Sequence, residues 1–326
     1  MSIPKISQIE FVDLYIGETY CDIKGFPGAA ATRVPAPVEL EDQIDALRRQ
    51  CREHFADNGE PEFSLIVDDV VFRVTEMNDV TGGEVYVLRR SGAHIRQLAT
   101  LGLAPHVMKA VLDQDAKGLI LIAGEMGAGK TSTAASIVVQ RLVLHGGIAI
   151  AVEDPPETKL NGLHGNGRCI QVQASRRSGG YQEHMVRAMR SGADMILIGE
   201  IRDEDTAYQA LKASINGHTI VSTIHAGDIP QAIERLQTLC SERTANAYNI
   251  LAEGLTVVIW QALEKFQRGS GTASRLVVKA LVLGNDAQGI RSKIRKGQIA
   301  QIKQDIEDQS QQAAWNMQRA LTGGRS

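Results

Sequence analysis

Residues 118–124 (GLILIAG) form an unbroken apolar run, and they pass directly into Gly124-Glu125-Met126-Gly127-Ala128-Gly129-Lys130-Thr131. Helical apolar spacing follows from Thr131 to about Leu144. A G-x-x-x-x-G-K-[ST] pattern between strand and helix leaves a chain few folds. The strand must end in a glycine turn whose backbone N–H groups face inward at a helix N-terminus, where anions bind. Gly124, Gly127, Ala128 and Gly129 supply that cradle. Lys130 can reach the β- and γ-phosphates of a nucleotide, the Thr131 hydroxyl can ligate Mg²⁺, and Ser132 follows on the first helical turn. The motif therefore predicts ATP and Mg²⁺ as cofactors.

The surrounding rhythm agrees. Short apolar runs at 148–153 (IAIAVE), 169–174 (CIQVQA), 195–200 (MILIGE) and 219–225 (TIVSTIH) alternate with helix-like or loop segments. A parallel sheet covered on both faces requires such runs, so this half reads as doubly wound α/β. Residues 161–169 (NGLHGNGRC) read as a glycine-rich loop. The first hundred residues differ: strand-like runs at 9–18, 21–25, 63–74 and 83–90 surround a helical stretch from Val38 to about Phe55, as in a small α+β domain. From His94 to Gln114 helical spacing is broken by Gly102 and Pro105, which places a boundary there. The expected division is 1–103, 104–284, and a polar, helix-favouring tail at 285–326 that forms surface helices and frays near Gly323 and Gly324.

Composition narrows the class. With 326 residues, 43% hydrophobic and 22% charged, the chain suits two globular domains and excludes a collagen-like, coiled-coil or mostly disordered protein. No apolar run approaches the roughly 18–20 residues a membrane helix needs, and the N-terminus lacks a signal-peptide layout, so a cytoplasmic location is expected. A net charge of −3 supplies no global basic field for nucleic acid. Cys21, Cys51, Cys169 and Cys240 are scattered without a C-x-x-C pair, so neither a zinc ribbon nor a disulfide framework is suggested.

Further chemistry lies downstream of the loop. The run 195–200 ends in Gly199-Glu200, a buried strand closing on an acid at the carboxyl edge of the sheet, where Glu200 can orient an attacking water. Gly199 stands where an aspartate often ligates Mg²⁺. Glu153-Asp154-Pro155-Pro156-Glu157 follows an earlier strand, and Gly217-His218 with Ser222-Thr223-Ile224-His225 brackets a later one.

In their order and spacing, these motifs resemble the secretion ATPase superfamily, which drives type II secretion, type IV secretion and type IV pilus motors. The likeness covers about residues 60–300. Glu153 to Glu157 match an acidic box of the form EDPxE, Ile196 to Asp203 match ILxGExRD, and Gly217 to His225 match GHxxxxTxH. The resemblance implies a RecA-like P-loop ATPase domain with a smaller N-terminal α+β domain and a homohexameric ring. It also implies a peripheral place at the inner membrane through a component of the secretion or pilus apparatus. Glu200 becomes the catalytic glutamate, Glu157 a water-mediated Mg²⁺ contact or alternate base, and His225 a sensor of the γ-phosphate. Phe72-Arg73-Val74 and Arg89 or Arg90 resemble the family's N-terminal strands, whose arginines bring positive charge to that phosphate. Lack of the cysteine zinc module carried by many members tilts the reading toward pilus retraction and type IV secretion or conjugation.

Ala193 and Ala226-Gly227-Asp228 depart from the family's common pattern and bear on subfamily. Two other readings compete. An ABC-type ATPase is suggested by Ser178-Gly179-Gly180-Tyr181-Gln182, but Arg177 and Tyr181 break that signature and the spacing from Lys130 is short. A RecA-like motor acting directly on DNA is suggested by Arg291, Lys293, Arg295 and Lys296, a cluster that at helical spacing ordinarily forms a solvated face.

Overall fold

The structure, a computed structural model, describes residues 5–91, 94–175, 179–268, 271–284 and 287–322. It divides into two compact units, Met1–Ala93 with Glu153–Lys159 and Gln173–Gly180, and His94–Val152 with Leu160–Val172 and Tyr181–Ser326.

The first unit contains β1 (Asp13–Ile16), β2 (Cys21–Lys24), β3 (Arg33–Pro35), α1 (Glu41–Asn58), β4 (Glu62–Val67), β5 (Val70–Asn78) and β6 (Glu84–Arg90). The strands form one sheet in the order β3-β2-β1-β6-β5-β4. Glu41 and Asp42 in the first turn of α1 complement the helix dipole. Gly59, at φ 61°, closes the helix in a left-handed turn with its N–H on the Phe55 carbonyl. Ile44, Leu47 and Cys51 share a helix face and pack with Leu14, Phe63, Phe72, Tyr86 and Leu88 from the sheet. Burial pushes the Cys51 thiol up to about 12, in keeping with an inert core residue. The opposite sheet face is charged. Register aligns Ser64 with Arg73, Arg73 with Arg89, Arg89 with Asp13, and Asp13 with Lys24.

The second unit is built from α2 (Pro105–Leu112), β7 (Gly118–Gly124), α3 (Lys130–His145), β8 (Gly147–Glu153), β9 (Gly162–His164), β10 (Gly167–Gln173), α4 (Gly180–Arg190), β11 (Met195–Ile198), α5 (Glu204–Ile215), β12 (Thr219–His225), α6 (Ile229–Ser241), α7 (Ala247–Gly254), β13 (Leu255–Arg268), β14 (Gly271–Val282), α8 (Gln288–Arg295) and α9 (Ile302–Thr322). Its sheet runs β14-β13-β7-β12-β11-β8-β10-β9, with parallel pairing from β13 through β8. All of β7 is buried, because α2 and α3 cover one face while α5, α6 and α7 cover the other. That burial is why the strand reads as a continuous apolar run and not an alternating one.

Three expectations need correction. Residues 161–169 are not merely a loop: Gly167 pairs with His164, so the glycines close a tight antiparallel hairpin of β9 and β10 at the sheet edge. The tail's helices lie on the surface, but they do more than cover it, since Ile290, Ile294, Ile299, Ile302 and Ile306 belong to the same core cluster as α5 and α6. Gly323 and Gly324, where fraying was expected, lie outside the described residues. Finally, the basic cluster at α8 is only in part a solvated face: Arg295 and Lys296 are exposed, whereas Arg291 and Lys293 are half-buried and engaged. Lys293 pairs with Asp305 at 2.7 Å and Arg295 with Glu253. Arg291 donates to the carbonyls of Leu283 at 2.7 Å, Leu255 at 3.3 Å and Ala252. The long antiparallel pair β13–β14 was not anticipated either, and Arg291 ties down its inner end.

Arg291→Ala should therefore cost about 2–3 kcal/mol of stability by leaving backbone carbonyls without a charged donor, whereas Lys296→Ala, an exposed change, should stay within about 0.5 kcal/mol. Denaturant melts of the two variants check this, and equal stability would contradict the role given to Arg291.

Candidate functional site

The turn after β7 has the backbone its glycines permit. Gly124, Gly127 and Gly129 sit at φ 156°, 76° and 82°. A Cβ at residue 124 would lie 2.4 Å from the Gln261 carbonyl, so that position is closed to side chains by β13 as well as by its dihedral. Gly129 is the N-cap of the 16-residue α3, and no side chain bonds back to that cap. The helix's first N–H groups are thus presented by the loop, which is the arrangement that holds phosphate. Lys130 opens the helix with only 7% of its surface exposed. Its Nζ donates to the Glu125 carbonyl at 3.0 Å, folding the ammonium over the loop. Thr131 follows half-buried, and the Ser132 hydroxyl donates to the His94 carbonyl, which engages it in backbone support.

Strand register brings the remaining groups to this loop. β12 runs parallel to β7 with His225 opposite Gly124. β11 runs parallel to β12 with Ile198 opposite Ser222, so Glu200 emerges just beyond the sheet edge. Two hydroxyls of β12 fasten that exit: Ser222 donates to the Ile198 carbonyl at 2.9 Å and Thr223 to the Gly199 carbonyl at 2.7 Å. The result is a connected array. Lys130 Nζ lies 3.4 Å from His225 Nδ1, His225 Nε2 lies 3.1 Å from Glu200 Oε1, and Arg202 Nε donates to Glu200 Oε2 at 2.5 Å. An ammonium can only donate, so His225 Nδ1 must accept and the ring proton sits on Nε2, facing the carboxylate. Burial and then Lys130, with Arg235 and Arg202 adding to it, hold the His225 pKa below its ordinary value, against the opposing pull of Glu200. His225 is accordingly neutral at neutral pH, and Glu200 is half-buried, with Oε2 accepting from Arg202 and Oε1 buried beside the His225 ring without a hydrogen bond of its own.

A cleft of about 550 Å³ opens beside the array, lined by Glu125, Met126, His225, Gln231 and Arg235 among others. Asp203 and Asp228, the acids that follow Glu200 and His225, cap α5 and α6 through the Thr206 and Gln231 amides at 2.8 Å each. Both are structural. Among the described residues, no group of three or more His, Cys, Asp or Glu side chains forms a metal cluster. Mg²⁺ binds through few protein ligands together with phosphate oxygens and water. The Thr131 hydroxyl fits that donor set, and the backbone of Gly199 offers no carboxylate to it.

The first unit holds the other predicted residues. Glu157 pairs with Arg73 at 2.7 Å, and the acidic box is fastened by Ser64 on the Pro156 carbonyl and Ser91 on the Glu157 carbonyl, both at 2.6 Å. Arg89 is gripped by the fully buried carboxylate of Asp13 at 2.7 Å, and Arg90 donates to the Ile9 carbonyl at 2.5 Å. Each cation therefore has an internal partner. Ser178 and Arg177, on which the ABC comparison rested, lie outside the described residues. Sequence reasoning missed Arg202 and Thr223 as supports of Glu200, and Gln261 as a support of the loop. The first two stand inside the matched motifs, but Gln261 carries no local signal.

A glycine loop joining a buried parallel strand to a helix, with an acid delivered by a neighbouring strand, defines a P-loop nucleoside triphosphatase. Comparison with known proteins places it more closely. The family described as Type II/IV secretion system protein matches residues 44–307. The Type IV pilus retractation ATPase PilT of Pseudomonas aeruginosa is 30% identical over 269 residues, 81% of this chain and 74% of its own. The Type IV pilus ATPase PilU of the same organism is 27% identical over 298 residues, 89% and 74% of the two chains. A crystal structure of the pilus retraction motor PilT with bound ADP shares the fold at a TM-score of 0.73 and 23% identity, covering 93% of this chain and 90% of that one. The chain belongs to the type II/IV secretion system protein family, as its motifs implied, and is an ATP hydrolase of that family.

The array fixes the sign of a pH response. Because the folded state favours neutral His225, the stability it contributes is full above the unfolded pKa near 6.5 and declines as pH falls through the lower folded value. Ring-proton titration by NMR should place its midpoint below 6.5, with Lys130→Ala moving it up and Glu200→Gln moving it further down. Shifts of the same sign in both variants would break the proposed array.

Proposed function

We propose that this chain is a ring-forming, Mg²⁺-dependent motor ATPase, a homohexamer, that couples ATP hydrolysis to a type IV pilus machine of the retraction kind or to a type IV secretion or conjugation machine. In this reading it works in the cytoplasm, docked on an inner-membrane component of that apparatus. The observation that carries it is the Lys130–His225–Glu200–Arg202 array beside the phosphate loop, since it links the residue that feels the γ-phosphate to the residue that handles water. The similarity to PilT and PilU supports the pilus branch.

ATP binding would draw the Lys130 ammonium from the Glu125 carbonyl onto phosphate oxygens, while the α3 amides and Gly129 hold the β-phosphate. The Thr131 hydroxyl would hold Mg²⁺, whose charge would supply stabilisation of the phosphates. Glu200 positions or deprotonates the attacking water: Arg202 fixes Oε2, while the buried Oε1 has no hydrogen bond and is available to accept from that water. Loss of the γ-phosphate changes what Lys130 offers to His225, so the histidine reports the state of the nucleotide to the end of β11. Glu157 remains the alternate base or water-mediated metal contact; it pairs with Arg73 as Glu200 does with Arg202, and what favours Glu200 is its place beside Lys130 and His225. Arg73, Arg89 and Arg90 add positive charge at the γ-phosphate only in the assembled ring. Residues 104–284 carry the nucleotide chemistry and residues 1–103 the domain that moves, with 285–326 as the helical tail.

Three measurements test this. Glu200→Gln should bind ATP about as well as the parent and lose hydrolysis by ~10²-fold or more, with Glu157→Gln as the comparison. Normal turnover in Glu200→Gln with loss in Glu157→Gln would reverse the assignment. Activity per chain should fall on dilution to verified monomer; constant activity would defeat the ring. Co-purification from native membranes, with identification of the bound partner, separates pilus from secretion and conjugation use.

A further inference from the structure

Gln261 lies on β13 one residue past Trp260, which is paired with Ala123 of β7, so it stands level with Gly124 and the start of the phosphate loop. Its side chain is buried, with 1% exposure. Nε2 donates to the Ala128 carbonyl at 2.6 Å. Oε1 is also buried and has no hydrogen-bond partner. A buried acceptor left without a partner costs about 1–3 kcal/mol, and a methionine would fill the same space without that cost, exchanging it for the comparable cost of a donor lost to the Ala128 carbonyl. Stability therefore does not explain a glutamine here. The bond made by Nε2 does.

That bond acts on one peptide plane. In a trans peptide the C=O and the following N–H point in opposite directions. Drawing the Ala128 carbonyl back toward β13 turns the Gly129 N–H the other way, into the cradle. The neighbouring Ala128 N–H is tied to the Glu125 carbonyl at 3.2 Å, so it does not face inward. Gly129 is free to rotate this plane, because its positive φ of 82° marks a residue with wide dihedral freedom. Unlatched, the plane can turn its carbonyl toward the phosphates, where oxygen would meet anionic oxygen. We propose that Gln261 is a positioning residue for nucleotide binding: it latches the Ala128–Gly129 peptide so that the Gly129 N–H faces the β-phosphate.

The proposal rests on the phosphate-loop reading, and ADP binding to the purified full-length chain separates the two. If the parent does not bind ADP, both fail. If it does, Gln261→Met should raise the ADP dissociation constant about tenfold, the scale of one charge-assisted hydrogen bond, while the melting temperature stays level because the orphaned acceptor and the lost donor offset. Binding and stability thus move apart, which a space-filling role would not produce. Gln261→Glu at pH 8 should bind more weakly still, because a carboxylate oxygen would confront the Ala128 carbonyl. Parent-like ADP affinity in Gln261→Met, or losses of affinity that merely follow lost stability in both variants, overturns the latch. Should neither variant fold, an ADP-bound crystal structure of the parent decides. A retained Gln261–Ala128 bond with the Gly129 N–H on the β-phosphate upholds it, and a rotated peptide overturns it.

Discussion

Everything functional in the second unit depends on the parallel pairing of β7 with β12, which sets His225 opposite Gly124. Parallel strands end at the same sheet edge, so three separated motifs arrive at one place without any loop having to reach for another. The phosphate loop leaves β7, Glu200 leaves β11 and His225 closes β12. Had β12 slipped by one residue, every side chain would face the opposite layer and the array would be lost. The fully buried β7 core makes such a slip expensive.

The supports around this edge share a physical logic. Side-chain hydroxyls and amides hold backbone carbonyls next to the candidate site's side chains, as Thr223 does for Gly199 and Gln261 for Ala128. A carbonyl fixed in this way orients the N–H or side chain that follows it, and it does so inside a region of low dielectric where a misplaced dipole is costly. Preorganisation of that kind lets a site handle phosphate charge with little rearrangement. The acids Asp203 and Asp228 perform the matching task at the helix starts that follow.

The first unit solves a different problem. Its antiparallel sheet needs only one apolar face, covered by α1, and the other is left to charge. Asp13 is completely buried between Arg89 and Lys24, and Glu157 neutralises Arg73, so the cationic row is balanced within the unit. Those arginines are legible in the sequence as strand charges, but their present partners are not. Asp13 and Arg89 are far apart along the chain and meet only because β1 pairs with β6.

The sequence by itself determined the phosphate loop, the doubly wound sheet and the identities of Lys130, Glu200 and His225, because these rest on short-range rules. Glycines are required where φ is positive, apolar runs where strands are buried on both faces, and an acid or histidine where a strand ends. Tertiary structure alone decided what those residues touch. The role of Gln261 depends on β13 lying against β7, a pairing with no signature in either strand. The tail reads as polar and helix-favouring, and only the packing of α8 and α9 shows its isoleucines joining the core of α5 and α6. The basic residues of α8 have the same helical spacing whether they face water or, as Arg291 does, the carbonyls of a distant strand. Periodicity records which face of an element is apolar; it carries no information about which partner covers it, and that choice is made by packing between residues distant in the chain.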